Sequence, residues 1–212
     1  MKNVPKFLHI GCGKKRKLET PFAETNWQEI RLDISPTFHP DLIGSMTEMN
    51  AVKDSSVDAI FSSHNIEHLL PHEVPLALQE FKRVLKPEGF ALITCPDLQS
   101  VCEVVAKDQL TDPIFMTSSG PIAAIDIIFG HRPALQRGEI HMAHRCGFTA
   151  KSMGNTLAIE GFTSITTRVV GDLNLWTIAG INQKKSWLTN KALTFFPPNH
   201  RSCCKQQVDE PQ

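Results

Sequence analysis

Several things are missing from this chain of 212 residues, and each absence excludes something. Net charge is missing: 22 lysines and arginines balance 22 aspartates and glutamates, so no global field draws the chain to nucleic acid or to an anionic membrane. Paired cysteines are missing. The six cysteines, at positions 12, 95, 102, 146, 203 and 204, form no Cys-x-x-Cys, which excludes the ribbons and fingers built on such pairs. No stretch approaches the ~18 consecutive apolar residues of a membrane span, and no secretory leader is expected ahead of the first strand. Cys12 and Cys95 fall at expected strand ends, where cysteine acts as a small buried hydrophobe. A reducing, cytoplasmic setting is the expectation. The length is enough for one domain with a full core.

What is present begins at Phe7-Leu8-His9-Ile10-Gly11-Cys12-Gly13. A short apolar run ending in two glycines reads as a buried parallel strand that stops at a tight turn. Glycine is needed where the backbone takes positive φ or lies against a ligand. At the carboxyl end of a first strand, such a turn is where open α/β sheets bind nucleotide-like molecules. Taken alone it also fits an ordinary hairpin or bulge. About twenty residues on, Glu29 to Ile34 reads as a second strand ending in Asp33, at the spacing of an acid that grips ribose hydroxyls. Ser56 to His64 reads as a strand running into small polar residues, and Pro75 to Leu85 has helical periodicity. Lys86-Pro87-Glu88-Gly89 reads as a turn that ends this helix, and Phe90 to Cys95 as another buried strand. Strands alternating with helices imply a parallel sheet with right-handed crossovers.

Five segments in this order carry a family resemblance: Leu8-His9-Ile10-Gly11-Cys12-Gly13, Leu32-Asp33-Ile34, Asp54 to Ile60, Ser63-His64-Asn65-Ile66-Glu67-His68-Leu69 and Arg83-Val84-Leu85-Lys86-Pro87-Glu88-Gly89. Together they resemble the class I S-adenosylmethionine-dependent methyltransferases, in particular small bacterial members of the methyltransferase type 11 group. The resemblance covers roughly the first hundred residues; beyond it only Gly147-Phe148-Thr149 and Glu160-Gly161-Phe162 match, loosely. It implies a Rossmann-like, doubly wound sheet of seven strands, mostly parallel with an antiparallel last strand, in a three-layer αβα arrangement. S-adenosyl-L-methionine is the implied cofactor and S-adenosyl-L-homocysteine the product.

The second half departs from a plain alternation. Leu98 to Ala106 reads as a short helix. Residues 107–146 then form an insertion after the fifth strand, longer than ordinary connections, with a helix expected over Pro121 to Phe129. A lid over the sheet edge is the functional expectation; a surface insertion without function is the alternative. Thr149 opens a helix to Glu160, and Phe162 to Gly171 and Leu173 to Ile181 read as the last two strands. Residues 1–183 are thus one domain. Residues 184–212 are a tail, flexible in part, which Trp187, Leu188, Phe195 and Phe196 could anchor.

The resemblance assigns the cofactor contacts to Gly11, Cys12 and Gly13 around the methionine moiety and ribose, to Asp33 on the ribose hydroxyls, and to Ile34 on the adenine face. Relatives carry an acid after the third strand; here Ser45 stands there, so Met46 and backbone groups must supply the remainder. Ser62, Ser63 and His64 are expected to floor the space between cofactor and acceptor. His64, His68 and His72 recur every four residues, a stripe that on a helix invites a metal. No carboxylate set completes it, and no metal is expected. Methyl transfer needs alignment and exclusion of water, with a base where the acceptor is a hydroxyl. His144 is the candidate for that role, with His141 beside it and His131 as a further histidine of the insertion; a structural role is the alternative. The expected acceptor is a small molecule, a saccharide or a lipid intermediate, and the lack of interleaved basic and aromatic residues argues against nucleic acid. Two other readings stand beside this one. A nicotinamide oxidoreductase conflicts with Arg16, where the third glycine of G-x-G-x-x-G would fall. A non-catalytic scaffold on a methyltransferase fold would tolerate the loss of the acid at Ser45.

Overall fold

The structure, a computed structural model, describes residues 4–117, 119–171 and 173–197. Among the described residues nine strands and six α-helices run in the order β1 (Lys6–Ile10), β2 (Gln28–Asp33), β3 (Leu42–Ile43), β4 (Val57–Ser63), α1 (Val74–Val84), β5 (Leu85–Pro96), α2 (Leu98–Val105), β6 (Pro113–Thr117), β7 (Gly120–Ala123), α3 (Ala124–Phe129), α4 (Arg132–Gln136), α5 (Ala150–Ile159), β8 (Ser164–Val170), β9 (Asn174–Gly180) and α6 (Lys185–Phe195). Seven strands form one sheet in the order β3-β2-β1-β4-β5-β9-β8. β1 to β5 are parallel, and β9 is antiparallel to both β5 and β8. This is the expected sheet, antiparallel last strand included. β6 and β7 pair only with each other.

The period-2 alternation of side chains sorts the apolar residues into two layers. Leu8, Ile10, Ile60, Ala91, Ile93, Leu175 and Ala179 face one side. There they pack with Leu78 and Phe81 of α1 and with Met153 and Leu157 of α5. Phe7, Ala59, Phe61, Phe90, Leu92 and Ile178 face the other, against Phe22 and against Leu188, Ala192 and Phe195 of α6. Thr149 caps α5 as expected, its side chain accepting from the Ser152 amide.

The second layer departs from a doubly wound repeat. The crossovers before β2, β3 and β4 contain only 3-10 turns or irregular chain, with no α-helix. Lys14-Lys15-Arg16-Lys17 has like charges in succession and no apolar periodicity, so residues 11–27 cannot lay an amphipathic helix on the sheet. Side chains of β2 tie this segment down instead. Glu29 accepts from the Lys17 amide at 3.0 Å and pairs with His9 at 2.8 Å, while the buried Arg31 donates to Gly13 O at 2.6 Å and to His39 O at 2.8 Å. Phe22 fills the apolar gap, stacked on Phe7 with centroids 4.2 Å apart. The rest of that layer is supplied by α6, so Leu188, Phe195 and Phe196 of the expected tail are buried; residues 198–212, with Cys203 and Cys204, lie outside those described, as does Asp172 of the turn between the last strands.

Two local expectations need correction. Lys86-Pro87-Glu88-Gly89 is not a separate turn: β5 follows α1 directly, and the irregularity is absorbed as a register shift against Val57 and Ala59. The helix expected over Pro121 to Phe129 is a strand in its first part and a helix only from Ala124. Proline at position 121 pairs tolerably in a two-stranded hairpin with no central position. The insertion is held by a small cluster apart from the two large layers, Ala124 and Ile127 against Val101 of α2 and Leu173 just before β9. Among the described residues no helix is long and apolar enough to cross a membrane.

Candidate active site

Parallel strands deliver their carboxyl ends to one edge, and every candidate of interest lies along it. At the β1 end, Gly11 and Gly13 both have positive φ, 59° and 51°, conformations that a Cβ disfavours. A side chain at Gly11 would run into Asn65 Oδ1, whereas Gly13 faces open space. Asn65 is itself held by donating to Ile10 O at 2.8 Å. The close approach at Gly11 is therefore made by Asn65, a residue that sequence reading passed over, and Gly13 is the glycine with room beside it.

Asp33 ends β2 and is buried. Its Oδ2 accepts from the Gly13 amide at 2.8 Å and its Oδ1 from the Ser35 amide at 2.9 Å. A carboxylate has about four acceptor sites, so each oxygen keeps capacity for a further donor. Ile34 and Ile43 are exposed large apolar side chains at the adjacent ends of β2 and β3, Ile34 at 59%. Cys12 is buried, and desolvation raises its thiol to about 11, which leaves it a neutral packing group. Ser45 is engaged with Thr47, hydroxyl to hydroxyl at 2.7 Å, and Met46 packs on the main core. Ser62 is wholly buried with its hydroxyl unpartnered, and so does not floor an open space. Ser63 is half-buried and accepts from the Thr94 hydroxyl at 2.9 Å.

Farther along the same edge, between the ends of β4 and β5 and under the insertion, is a cavity of about 380 Å3. His64 and Pro96 line it from the sheet, Asn174 from the start of β9, and Phe115, Asp126, His131, Met142 and His144 from the insertion. A depression of similar size at the opposite edge, beside Lys6, Gln28 and Lys86, stands at the amino ends of the strands, where open sheets do not place their chemistry. His64 has φ 54°, an uncommon conformation for a residue with a Cβ. It follows β4, with its amide bonded to Thr94 O at 2.9 Å. Because Asn65 touches Gly11 and His64 lines the cavity, the segment after β4 joins the two halves of the edge.

Below His64 the chain turns through a single 3-10 turn, Ile66–His68. The expected helical stripe of His64, His68 and His72 does not form, and His72 is exposed. The turn instead brings His68 to His144, their rings edge to face with centroids 4.9 Å apart. His68 Nδ1 is 3.0 Å from Ala143 O, and His144 Nδ1 is 2.7 Å from Ile127 O. Burial lowers the pKa of His144 against the opposing pull of Glu67, so its imidazole is neutral at neutral pH. Glu67 is 1% exposed. Burial works against its charge, but His64, 3.3 Å away, and His68 outweigh that and keep the carboxyl below its usual value. His141 is exposed on the following 3-10 turn and is not part of the cavity wall. Asp126 caps the start of α3 through the Ala123 amide and holds Arg132 by two bonds, 2.7 and 3.0 Å.

Residues 8–93 match a family model described as a methyltransferase domain. No curated protein matches the chain. Among solved structures it is similar to an S-adenosylmethionine-dependent methyltransferase from Archaeoglobus fulgidus, at 15% identity over 84% of this chain and 86% of that one, with a TM-score of 0.58. A 1,6-didemethyltoxoflavin N1-methyltransferase from Burkholderia thailandensis, solved with 1,6-didemethyltoxoflavin and S-adenosylhomocysteine, is similar at 12% identity, with 84% and 72% covered and a TM-score of 0.51. A phosphoethanolamine N-methyltransferase from Haemonchus contortus, solved with phosphomonomethylethanolamine and S-adenosylhomocysteine, gives 13%, 86% and 50%, and 0.54.

Proposed function

We propose that this chain, whose residues 8–93 match a methyltransferase domain, is a class I S-adenosylmethionine-dependent methyltransferase and methylates a small acceptor held in the cavity beneath the insertion. The cavity carries this reading. Its volume of about 380 Å3 lies within the range of small-molecule sites and is too small for a folded macromolecule. Its wall combines apolar side chains with His64, His131, Asp126 and Asn174, the mixture that encloses a ligand and orients its polar groups.

The residues at the other half of the edge suit the cofactor. Gly13 leaves room for close approach, Asp33 has spare acceptor capacity for a ribose diol, and Ile34 with Ile43 offers an unpartnered apolar surface for a flat ring. Ser45 lacks the charge that an acid would bring to the adenine amino group. When bound, the cofactor would supply a sulfonium methyl group for direct attack by a nucleophile, with the neutral thioether, S-adenosylhomocysteine, as leaving group. The chain then has three tasks. Asn65 keeps the β1 turn and the segment bearing His64 in fixed relation. The insertion covers the cavity and excludes water. His144, neutral and with Nδ1 bound to Ile127 O, presents Nε2 to take the proton of an acceptor hydroxyl.

His144→Ala is the test. With an acceptor found by screening small hydroxylated and amino compounds, turnover should fall about a hundredfold or more while calorimetric cofactor affinity stays within twofold. Unchanged turnover would leave alignment alone as the mechanism, and lost folding would make His144 a packing residue.

A further inference from the structure

Glu67 is an anomaly among the described residues. It is 1% exposed, and neither carboxylate oxygen has a hydrogen-bond partner; a buried charge in that state is costly. Its main chain is well served, with Glu67 O accepting from the Arg145 and Cys146 amides at 2.8 and 3.2 Å. The unpartnered atoms are therefore those of the side chain. His64 Nδ1, at 3.3 Å, is close to Oε1 but not aligned for a hydrogen bond.

The two histidines beside Glu67 are set in a particular tautomer. A carbonyl oxygen only accepts, so the contacts of His68 to Ala143 O and of His144 to Ile127 O place each ring proton on Nδ1. Each ring then offers a lone pair at Nε2. Metal-binding histidines are anchored in the same way, one nitrogen donating to a carbonyl while the other binds. One ligand atom from each of Glu67, His68 and His144 lies within 4.8 Å of the other two.

We propose that Glu67, His68 and His144 together hold one divalent cation of the first transition row, with zinc the best match. Two neutral imidazoles and one carboxylate are the donor set of open zinc sites, and nitrogen donors disfavour magnesium and calcium. His144 also lines the cavity, so a further coordination position is available to the acceptor. Three protein ligands plus an exchangeable one is the pattern of sites that act on a substrate. The cation site itself does not depend on the methyltransferase reading. Where that reading holds, the cation would acidify a bound acceptor hydroxyl, and His144 would be its ligand in place of the base, the proton leaving to solvent. The signal was present in Ser63-His64-Asn65-Ile66-Glu67-His68-Leu69, but the third ligand comes from the insertion and only the fold brings it there.

The experiment uses the full chain without a histidine tag, stripped by a chelator and titrated with Zn2+ by calorimetry. The bound metal is then counted after desalting. The expected result is a single saturable Zn2+ per chain and no heat with Mg2+. Glu67→Gln and His144→Ala should each weaken Zn2+ by more than about 10- to 100-fold, the range for losing only an outer partner of a metal ligand. His72→Ala, on the exposed end of the histidine series, should bind as the parent does. No saturable Zn2+ in the parent, or unchanged binding in both variants, overturns the site. Should a variant fail to fold by circular dichroism, the Co2+ spectrum of the parent decides. Bands of nitrogen and oxygen ligation support the site, and a thiolate charge-transfer band moves the metal to a cysteine and overturns it. Titration of S-adenosylmethionine on the same samples reports separately: cofactor binding without Zn2+ sinks the cation alone, and Zn2+ without cofactor sinks the methyltransferase reading alone.

Discussion

The residues that face the expected cofactor come from one strand-turn-strand unit. Gly11, Gly13, Asp33 and Ile34 sit at the ends of the neighbouring strands β1 and β2, and Gly13 is bonded directly to Asp33. The cavity beside them is assembled otherwise. His64 and Pro96 come from the ends of β4 and β5, Asn174 from β9, and Asp126, His131, Met142 and His144 from an insertion joined to α2 by a small separate cluster. One region is local in sequence and fastened to the main sheet. The other is drawn from distant segments and held by a satellite cluster of few buried side chains. On the proposed function the frame would hold the cofactor and the loosely attached part would select the acceptor, as loops on a rigid scaffold do elsewhere.

This contrast has measurable consequences, of which the largest is in stability. Phe81 of α1 is completely buried in the main layer, so Phe81→Ala should lower the unfolding free energy by about 3–5 kcal/mol in denaturant titration. Ile127→Ala, in the core of the insertion and 9% exposed, should cost about 2 kcal/mol, the low end for an aliphatic truncation. Equal losses would make the insertion as integral as the frame and break the comparison.

A smaller effect concerns the cofactor half. Asp33→Ala removes the acceptor proposed for the ribose and also the partner of the Gly13 and Ser35 amides. Calorimetric affinity for S-adenosylmethionine should drop by about 1.5–3 kcal/mol, the range for a charge-assisted hydrogen bond. An unchanged affinity would displace the ribose from Asp33. Gly11→Val is the poorer probe, since its added atoms meet Asn65 and disturb the turn before any ligand is involved.

The smallest effect separates the regions by pH. The bonds from Arg132 hold the Asp126 carboxyl at about 2, against an ordinary value near 3.8. A depressed carboxylate contributes stability that is complete above its unfolded pKa and is lost as pH falls toward the folded one. Protection factors in residues 119–146, taken relative to intrinsic exchange at each pH, should therefore fall between about pH 4 and pH 2 in the parent. Asp126→Asn should flatten that dependence. A parent that shows no change in this window would remove Asp126 as the clasp of the insertion.

Much of the frame was legible because its signals are short-ranged. Apolar runs of strand length, a glycine pair after the first of them, Asp33 at the right distance and Thr149 before a periodic segment each report local chain geometry, and the sheet follows from their alternation. Other features were not legible because they depend on what packs where. The charge run Lys14 to Lys17 speaks against a helix there, but nothing in the sequence announces what replaces it, a layer tied down by Glu29 and Arg31 and filled by Phe22. Nor does the stretch after Lys184 declare that its helix completes the second face, since α6 becomes amphipathic only relative to Phe7, Phe90 and Ile178 on the sheet.

The division is sharpest among the histidines. By itself the sequence determined the class of fold and the sheet edge that carries the glycine turn and Asp33, for these are consequences of periodicity and of backbone conformations open to glycine. Only the tertiary structure decided that His141 faces solvent, that His72 has no part, and that His68 and His144 meet beside a buried Glu67. Such a meeting depends on where a forty-residue insertion folds back against the end of β4. Contacts of that range leave no periodic trace in the chain.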